Sequence, residues 1–138
     1  MTVRMTKRAR TVLTALSLLV VSALLAGCGS SSLKIGWREF SGGSRKRANY
    51  VTFDGVQSRT LRVEGGKRIE LSCDVTVEKG TLWVSLISPG GDTLWGETFE
   101  EDRHAFASTT ASEGGLYILR IEGDGAGGGF DISWDVKG

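Results

Sequence analysis

Few side chains in this 138-residue chain are of the types that do chemistry, and none stands in a pattern that completes a reaction. There are two cysteines, Cys28 and Cys73, and one histidine, His104. A metal site needs several ligands at set spacing, and one free Cys and one His among scattered carboxylates supply no such cluster. His104 closes the charged stretch Glu100-Glu101-Asp102-Arg103 with no nucleophile motif beside it, so an exposed histidine is expected rather than a general base. Those carboxylates, with Asp92 or Asp124, are calcium ligands in kind. Calcium takes roughly six to eight oxygens, however, and the Asp-x-Asp-x-Asp-Gly loop is absent, which leaves a solvated acidic loop as the expectation. A phosphate-cradling role for the glycine run Gly123–Gly129 would require a helix after it and a Lys-Ser or Lys-Thr pair. The strand-like Phe130-Asp-Ile-Ser-Trp134 follows instead, so the run is expected to be a hairpin connection. The sequence therefore calls for no catalytic residue, no metal and no cofactor, and a non-enzymatic protein is expected.

Cys28 is set apart by what precedes it. Arg4, Lys7, Arg8 and Arg10 form a basic start, and Val12 to Ala26 carries no charge. Such an apolar stretch is shorter than the roughly 20 residues of a spanning helix and has the order of a secretory signal peptide. The ending Leu24-Leu25-Ala26-Gly27-Cys28 resembles the lipobox of bacterial lipoproteins. That resemblance implies cleavage before Cys28, acylation of its sulfur and new amine, and an extracytoplasmic protein held by lipid at the cell membrane or outer membrane. Residues 1–27 are then a signal-peptide helix. Gly29 stands where aspartate marks inner-membrane retention in diderm bacteria, so the same resemblance implies outer-membrane delivery in a diderm.

Removing the four basic residues of the leader leaves 13 Lys and Arg against 16 Asp and Glu, a net charge near −3 over 28–138. A slightly acidic domain lacks the positive footprint of sequence-blind nucleic-acid binding, and no nucleic-acid partner is expected. Residues 28–138 make one domain large enough to bury a core without disulfides. Within it, 28–47 reads as a flexible tether. Cys28-Gly-Ser-Ser-Ser32 is its spacer, Ile35–Phe40 a candidate first strand, and Ser41–Arg47 an exposed loop. Arg45-Lys46-Arg47 in that loop is expected to be solvated.

Period-two alternation dominates residues 48–138. Ile69, Leu71, Cys73, Val75 and Val77 share one face, opposite Glu70, Ser72, Asp74 and Thr76. Cys73 at the centre of an apolar face is expected to be a small buried hydrophobe. Phe130, Ile132, Trp134 and Val136 repeat the pattern. Tyr117, Leu119 and Ile121 share one face while Leu116 and Ile118 make the other partly apolar, so a central strand covered on both sides is expected there. Turn signals fall at Asp54-Gly55, Gly65-Gly66, Lys79-Gly80, Pro89-Gly90-Gly91, Glu113-Gly114-Gly115 and Gly123–Gly129. About seven to nine short strands without helices predict an all-β, antiparallel, jelly-roll-like β-sandwich, with most glycines between strands. A closed barrel would show the same pattern. The runs Gly80–Gly90, Gly115–Ile121 and Gly129–Trp134 resemble bacterial pre-peptidase C-terminal domains. That resemblance implies a jelly-roll-like sandwich acting as an accessory or binding module.

Trp83 and Trp95 are the candidate binding residues. If Ser88–Asp92 is a five-residue hairpin loop, Leu86 faces Leu94, Ser85 faces Trp95, and Trp83 lies diagonally from Trp95 on the outer face. Two indoles there would form a platform for a sugar ring or an apolar partner. A one-residue register change would turn Trp95 inward. The expected function is a lipid-anchored, non-catalytic binding module for an envelope polysaccharide or protein partner. A structural or assembly subunit without a ligand is the alternative, and a cryptic hydrolase with two converging carboxylates a third.

Overall fold

The computed structural model describes residues 32–138, and the expected signal-peptide helix and acylated Cys28 lie outside them. Among the described residues the chain is all β, with seven strands and no helix: β1 (Leu33–Ile35), β2 (Arg38–Gly42), β3 (Arg45–Val63), β4 (Arg68–Ile87), β5 (Thr93–Phe99), β6 (Arg103–Thr110) and β7 (Gly115–Lys137). Every pairing is antiparallel. The main path across the sheet runs β1-β3-β7-β4-β5, with β2 also on β3 and β6 also on β4.

Three strands are far longer than the usual five or so residues: β3 has 19, β4 has 20 and β7 has 23. Straight, β7 would reach roughly 75 Å at about 3.3 Å per residue. A domain of about 100 residues has a radius of gyration near 13 Å, so such strands must bend. They bend together. Register shifts fall between Tyr50 and Gly55 in β3 and between Val77 and Thr81 in β4, both opposite the glycine run of β7.

The bend divides one sheet into two layers. The first half-sheet is β2, Arg45–Asn49 of β3, Gly129–Lys137 of β7, Arg68–Val77 of β4, and β6. The second is Gly55–Val63 of β3, Gly115–Gly123 of β7, Thr81–Ile87 of β4, and β5. Alternation sends Ala48, Ile69, Leu71, Cys73, Val75, Phe130 and Ile132 inward from one layer, and Leu61, Leu82, Val84, Leu86, Tyr117, Leu119 and Ile121 from the other. All belong to a single core cluster. The layers touch directly where Arg59 of the second stacks 5.7 Å from the Trp134 ring of the first and donates to the Gly43 carbonyl oxygen. The expected antiparallel sandwich is present, its two layers being halves of one folded sheet.

Two local expectations are corrected. Gly55, Gly80 and Gly123–Gly129 do not separate strands but lie inside β3, β4 and β7, so the glycine run is a bend and no hairpin. The physical reason is close approach. A Cβ on Gly128, whose φ is +130°, would run into the Thr76 carbonyl oxygen, and one on Gly80, with φ +66°, into the backbone of Gly125. The other correction concerns Arg45-Lys46-Arg47, which opens β3 rather than filling a loop. Alternation turns Lys46 inward, where it is 5 % exposed. The sheet thus begins upstream of residue 48, with β1 and β2 built from the stretch read as a tether.

Side chains at the bend and elsewhere carry unequal risk. Gly128→Ala is expected to cost about 3 kcal/mol, combining backbone strain with a clash against backbone. Gly66→Ala, at φ +85° with open space around it, should cost only about 1 kcal/mol. Urea unfolding of the two variants checks the difference, and equal costs would show that the bend tolerates side chains.

Candidate functional site

The glycines that permit the bend also remove side chains from the outer face of the first half-sheet. Inward Lys46, Ala48 and Tyr50 leave Arg45, Arg47, Asn49 and Val51 of β3 pointing outward. On β2, Arg38 pairs with Asn49 and Phe40 with Arg47, so both join that outer face. On β4, Thr76 and Glu78 do the same. Between β3 and β4 runs β7, and at this level it offers Gly129 opposite both Asn49 and Thr76. The result is a trough with a backbone floor and side-chain walls. It encloses about 540 Å³ lined by Gly36, Arg38, Asn49, Tyr50, Val51, Thr76, Glu78 and Gly128. An adjoining hollow of about 270 Å³, lined by Arg38, Glu39, Phe40, Arg47 and Asn49, extends it along β2.

The walls are held from beneath. Glu39, between Arg38 and Phe40 in sequence, faces inward, where its carboxylate accepts from Trp37 Nε1 at 2.9 Å, Ser41 Oγ at 2.8 Å and the Lys46 ammonium. The Lys46 hydrogen bond above all, outweighing the cost of burial, holds the Glu39 carboxyl down to about 2. This buried cation and its carboxylate staple the edge strand β2 to β3. Trp37 then stacks on Tyr50 at 5.5 Å and meets Phe53 edge-on at 5.1 Å, giving the trough an aromatic underside. Burial pushes the Tyr50 phenol well above its ordinary value and keeps it neutral.

On the exposed side the trough is amphipathic. Phe40 is 61 % exposed and Val51 59 %, so one apolar surface stands at each end. Asn49, Thr76 and Glu78 offer amide, hydroxyl and carboxylate groups. Arg45 is committed to Asp131 through Nε at 2.7 Å and a second guanidinium bond, and this pair holds the Asp131 carboxyl below its usual range. Arg38 and Arg47 make no ion pair among the described residues. This arrangement offers a ligand both apolar surfaces and polar groups.

The residues singled out from the sequence lie elsewhere. The Ser88–Asp92 hairpin forms as expected, closed by Ser88 N to the Asp92 carbonyl at 2.8 Å, and Ile87 faces Thr93. A bulge at Leu94 then shifts the register, so that Trp95 pairs with Leu86 instead of Ser85. Leu86 is buried, and Trp95 accordingly packs against the core. Trp83 stays on the outer face opposite Thr98, half-buried, with Arg120 6.0 Å from its ring. The expected two-indole platform is therefore not formed, because one extra residue in β5 sends the two rings to opposite faces.

Cys73 is fully buried, and burial first, with the charges of Asp74 and Glu97 adding, pushes its thiol up to about 12. His104 is exposed, its Nδ1 2.7 Å from Asp74 Oδ1. Asp74 and Asp131 face each other across β4 and β7, one occupied by His104 and the other by Arg45. Among the described residues no three or more His, Cys, Asp and Glu side chains gather as a metal site.

Neither the family models nor the curated proteins contain a match to this chain. Solved structures do resemble it. A CBM4 module superposes with a TM-score of 0.51 at 9 % identity, over 81 % of each chain. The pre-peptidase C-terminal domain of a collagenase from Bacillus anthracis gives 0.48 at 18 % identity, over 77 % of this chain and 89 % of that one. A carbohydrate binding module of Cellvibrio mixtus lichenase 5A, in complex with cellotriose, gives 0.38 at 14 % identity over 80 % and 86 %. The likeness to the first is one of fold.

Two outcomes test this geometry. A carboxyl depressed in the folded state adds stability that is complete above the unfolded value near 4.5 and disappears as pH falls through about 2. The stability gap between the native chain and Glu39→Gln should thus be constant above pH 5 and close between pH 4.5 and 2 in urea titrations; a gap independent of pH would remove the staple. Cys73 should resist thiol reagents in the folded protein and react fully on unfolding, as followed by the absorbance of a released chromophore. Rapid labelling of the native state would contradict its burial.

Proposed function

We propose that this protein is a lipid-anchored, non-catalytic binding module of the bacterial cell envelope, with the trough between β2, β3 and β4 as its contact surface. The observation that carries the reading is the glycine floor between Asn49 and Thr76, which turns a flat sheet face into a groove about 540 Å³ in size flanked by exposed Phe40 and Val51. An exposed aromatic can stack on a sugar ring or an apolar side chain, and the amide, hydroxyl and guanidinium groups beside it can read polar edges. An envelope polysaccharide is the occupant best matched to an open, elongated groove of this mixed character. The fold shared with a carbohydrate-binding module at a TM-score of 0.51 is consistent with that use.

The anchor in this reading is Cys28, acylated after cleavage of residues 1–27. Cys28-Gly-Ser-Ser-Ser32 is the spacer between lipid and sheet. Cleavage and acylation would place the domain outside the cytoplasm with no need of a spanning segment.

One observation favours the second reading, a structural or assembly subunit. The outer face of the second half-sheet exposes Val56, Leu116 and Ile118, with exposed Leu94 at the bulge of β5. Such a patch suits a protein contact better than a sugar.

Affinity electrophoresis of the full chain through gels containing envelope polysaccharide separates the two. Retardation is expected, and Phe40→Ala with Asn49→Ala should weaken it at least tenfold while leaving the melting temperature within a few degrees, since both side chains face outward. Retardation that is absent, or unchanged in this double variant and abolished by Ile118→Asp, would favour the assembly reading instead. For the anchor, mass spectrometry of the native protein should show a chain starting at Cys28 and bearing acyl groups; an unmodified amino terminus at Met1 would overturn it.

A further inference from the structure

We infer that the trough selects acidic polysaccharides, polymers whose sugars carry carboxylate or phosphate, over neutral ones; this rests on the binding reading above and narrows its ligand class. The local charge opposes that of the domain as a whole. The chain from Cys28 onward carries 13 basic against 16 acidic residues, yet the wall formed by β2 and β3 presents Arg38 and Arg47 side by side with Phe40.

Each nearby carboxylate is already taken or distant. Glu39 turns inward to Lys46, and Asp131, although it lies opposite Arg47 and feels its charge, is hydrogen-bonded by Arg45 rather than by Arg47. Glu78 lines the far part of the trough, on β4. Arg38 and Arg47 have no ion-pair partner among the described residues and are exposed, so their guanidinium forks remain open to an incoming anion.

The register spaces them for a polymer. Arg38 lies opposite Asn49 and Arg47 opposite Phe40, so the two cations sit diagonally across adjacent strands, roughly 7 Å apart at the backbone. Arginine recognises carboxylate and phosphate through two parallel N–H donors, which a point charge cannot do. Phe40 stands between the cations and Asn49 beside them. An acidic sugar chain laid along the trough thus meets a ring-stacking surface and two anion forks in succession. A membrane surface fits less well, because the forks line a recess walled by Phe40 and Asn49 rather than a flat basic patch.

The test uses the full chain in detergent and measures affinity for polygalacturonate, hyaluronate and a phosphodiester-linked teichoic polymer. Fully methyl-esterified polygalacturonate and a neutral galactan serve as uncharged counterparts. At least one acidic polymer is expected to bind tenfold or more tightly than the neutral pair, with an affinity that falls as salt rises. Arg38→Gln with Arg47→Gln should bring that preference to within twofold, whereas Phe40→Ala should weaken acidic and neutral polymers alike. Equal or tighter binding of the neutral polymers would overturn the charge assignment and leave the binding reading standing. Failure of every polymer, acidic and neutral, would remove both. Displacement of the polymer by glycerophosphoglycerol at equal charge concentration would also overturn it, since the forks would then be reading an isolated lipid headgroup.

Discussion

The close approach of the glycine run in β7 to the backbones of β3 and β4 is the constraint on which the rest of this structure depends. Three strands of about twenty residues cannot stay straight in a domain of this size, and they can turn together only where no Cβ stands between them. Gly128 against the Thr76 carbonyl and Gly80 against the Gly125 backbone supply that contact. From it follow the two layers, the shared core of Leu, Ile, Val and aromatic side chains, and the pairing of Arg59 with Trp134 across the open side. The same missing side chains leave the outer face hollow between Asn49 and Thr76. Fold and candidate site thus have a common cause.

A sandwich made by folding one sheet still has edges, and here charged side chains close them. Lys46 and Glu39 meet behind β2. Glu97 of β5 faces the interior side and is bound by Arg103 of β6 at 2.6 Å. Arg59 on the free edge of β3 lies over Trp134. An inward charge on an edge strand is costly to bury in a second, intermolecular sheet, so these residues oppose edge-to-edge association as well as sealing the core. The Glu39 staple has a further consequence. It fixes the strand whose alternate residues, Arg38 and Phe40, form one wall of the trough, which makes a partly buried ion pair the support of an exterior surface.

Much of this was legible in the sequence. Alternation around Cys73 and along Phe130–Trp134 identified the core faces, and the absence of any helical period identified the class. The Ser88–Asp92 hairpin was legible too. What alternation could not show was continuity. A glycine in a strand bend and a glycine in a hairpin look alike locally, and only the partners on either side distinguish Gly123–Gly129 as the middle of β7. The bulge at Leu94 was equally hidden, since a single inserted residue leaves composition untouched while sending Trp95 to the other face. Trough residues were missed for a related reason. Arg38, Phe40, Asn49 and Thr76 come from three strands, and nothing in the chain announces that Gly129 lies between them. The one available signal was the alternation of Arg45-Lys46-Arg47 with Ala48-Asn49-Tyr50, which would have turned Lys46 inward and Asn49 outward.

The most direct test of a trough built on a glycine floor is to see where a ligand touches the protein. Amide resonances of the isotopically labelled full chain would be followed during titration with an acidic oligosaccharide. Shifts concentrated at Gly36, Arg38, Asn49, Thr76 and Gly129 are predicted. Shifts centred on Val56, Leu116 and Ile118, on the opposite outer face, would contradict this placement, as would a spectrum unchanged at saturating ligand.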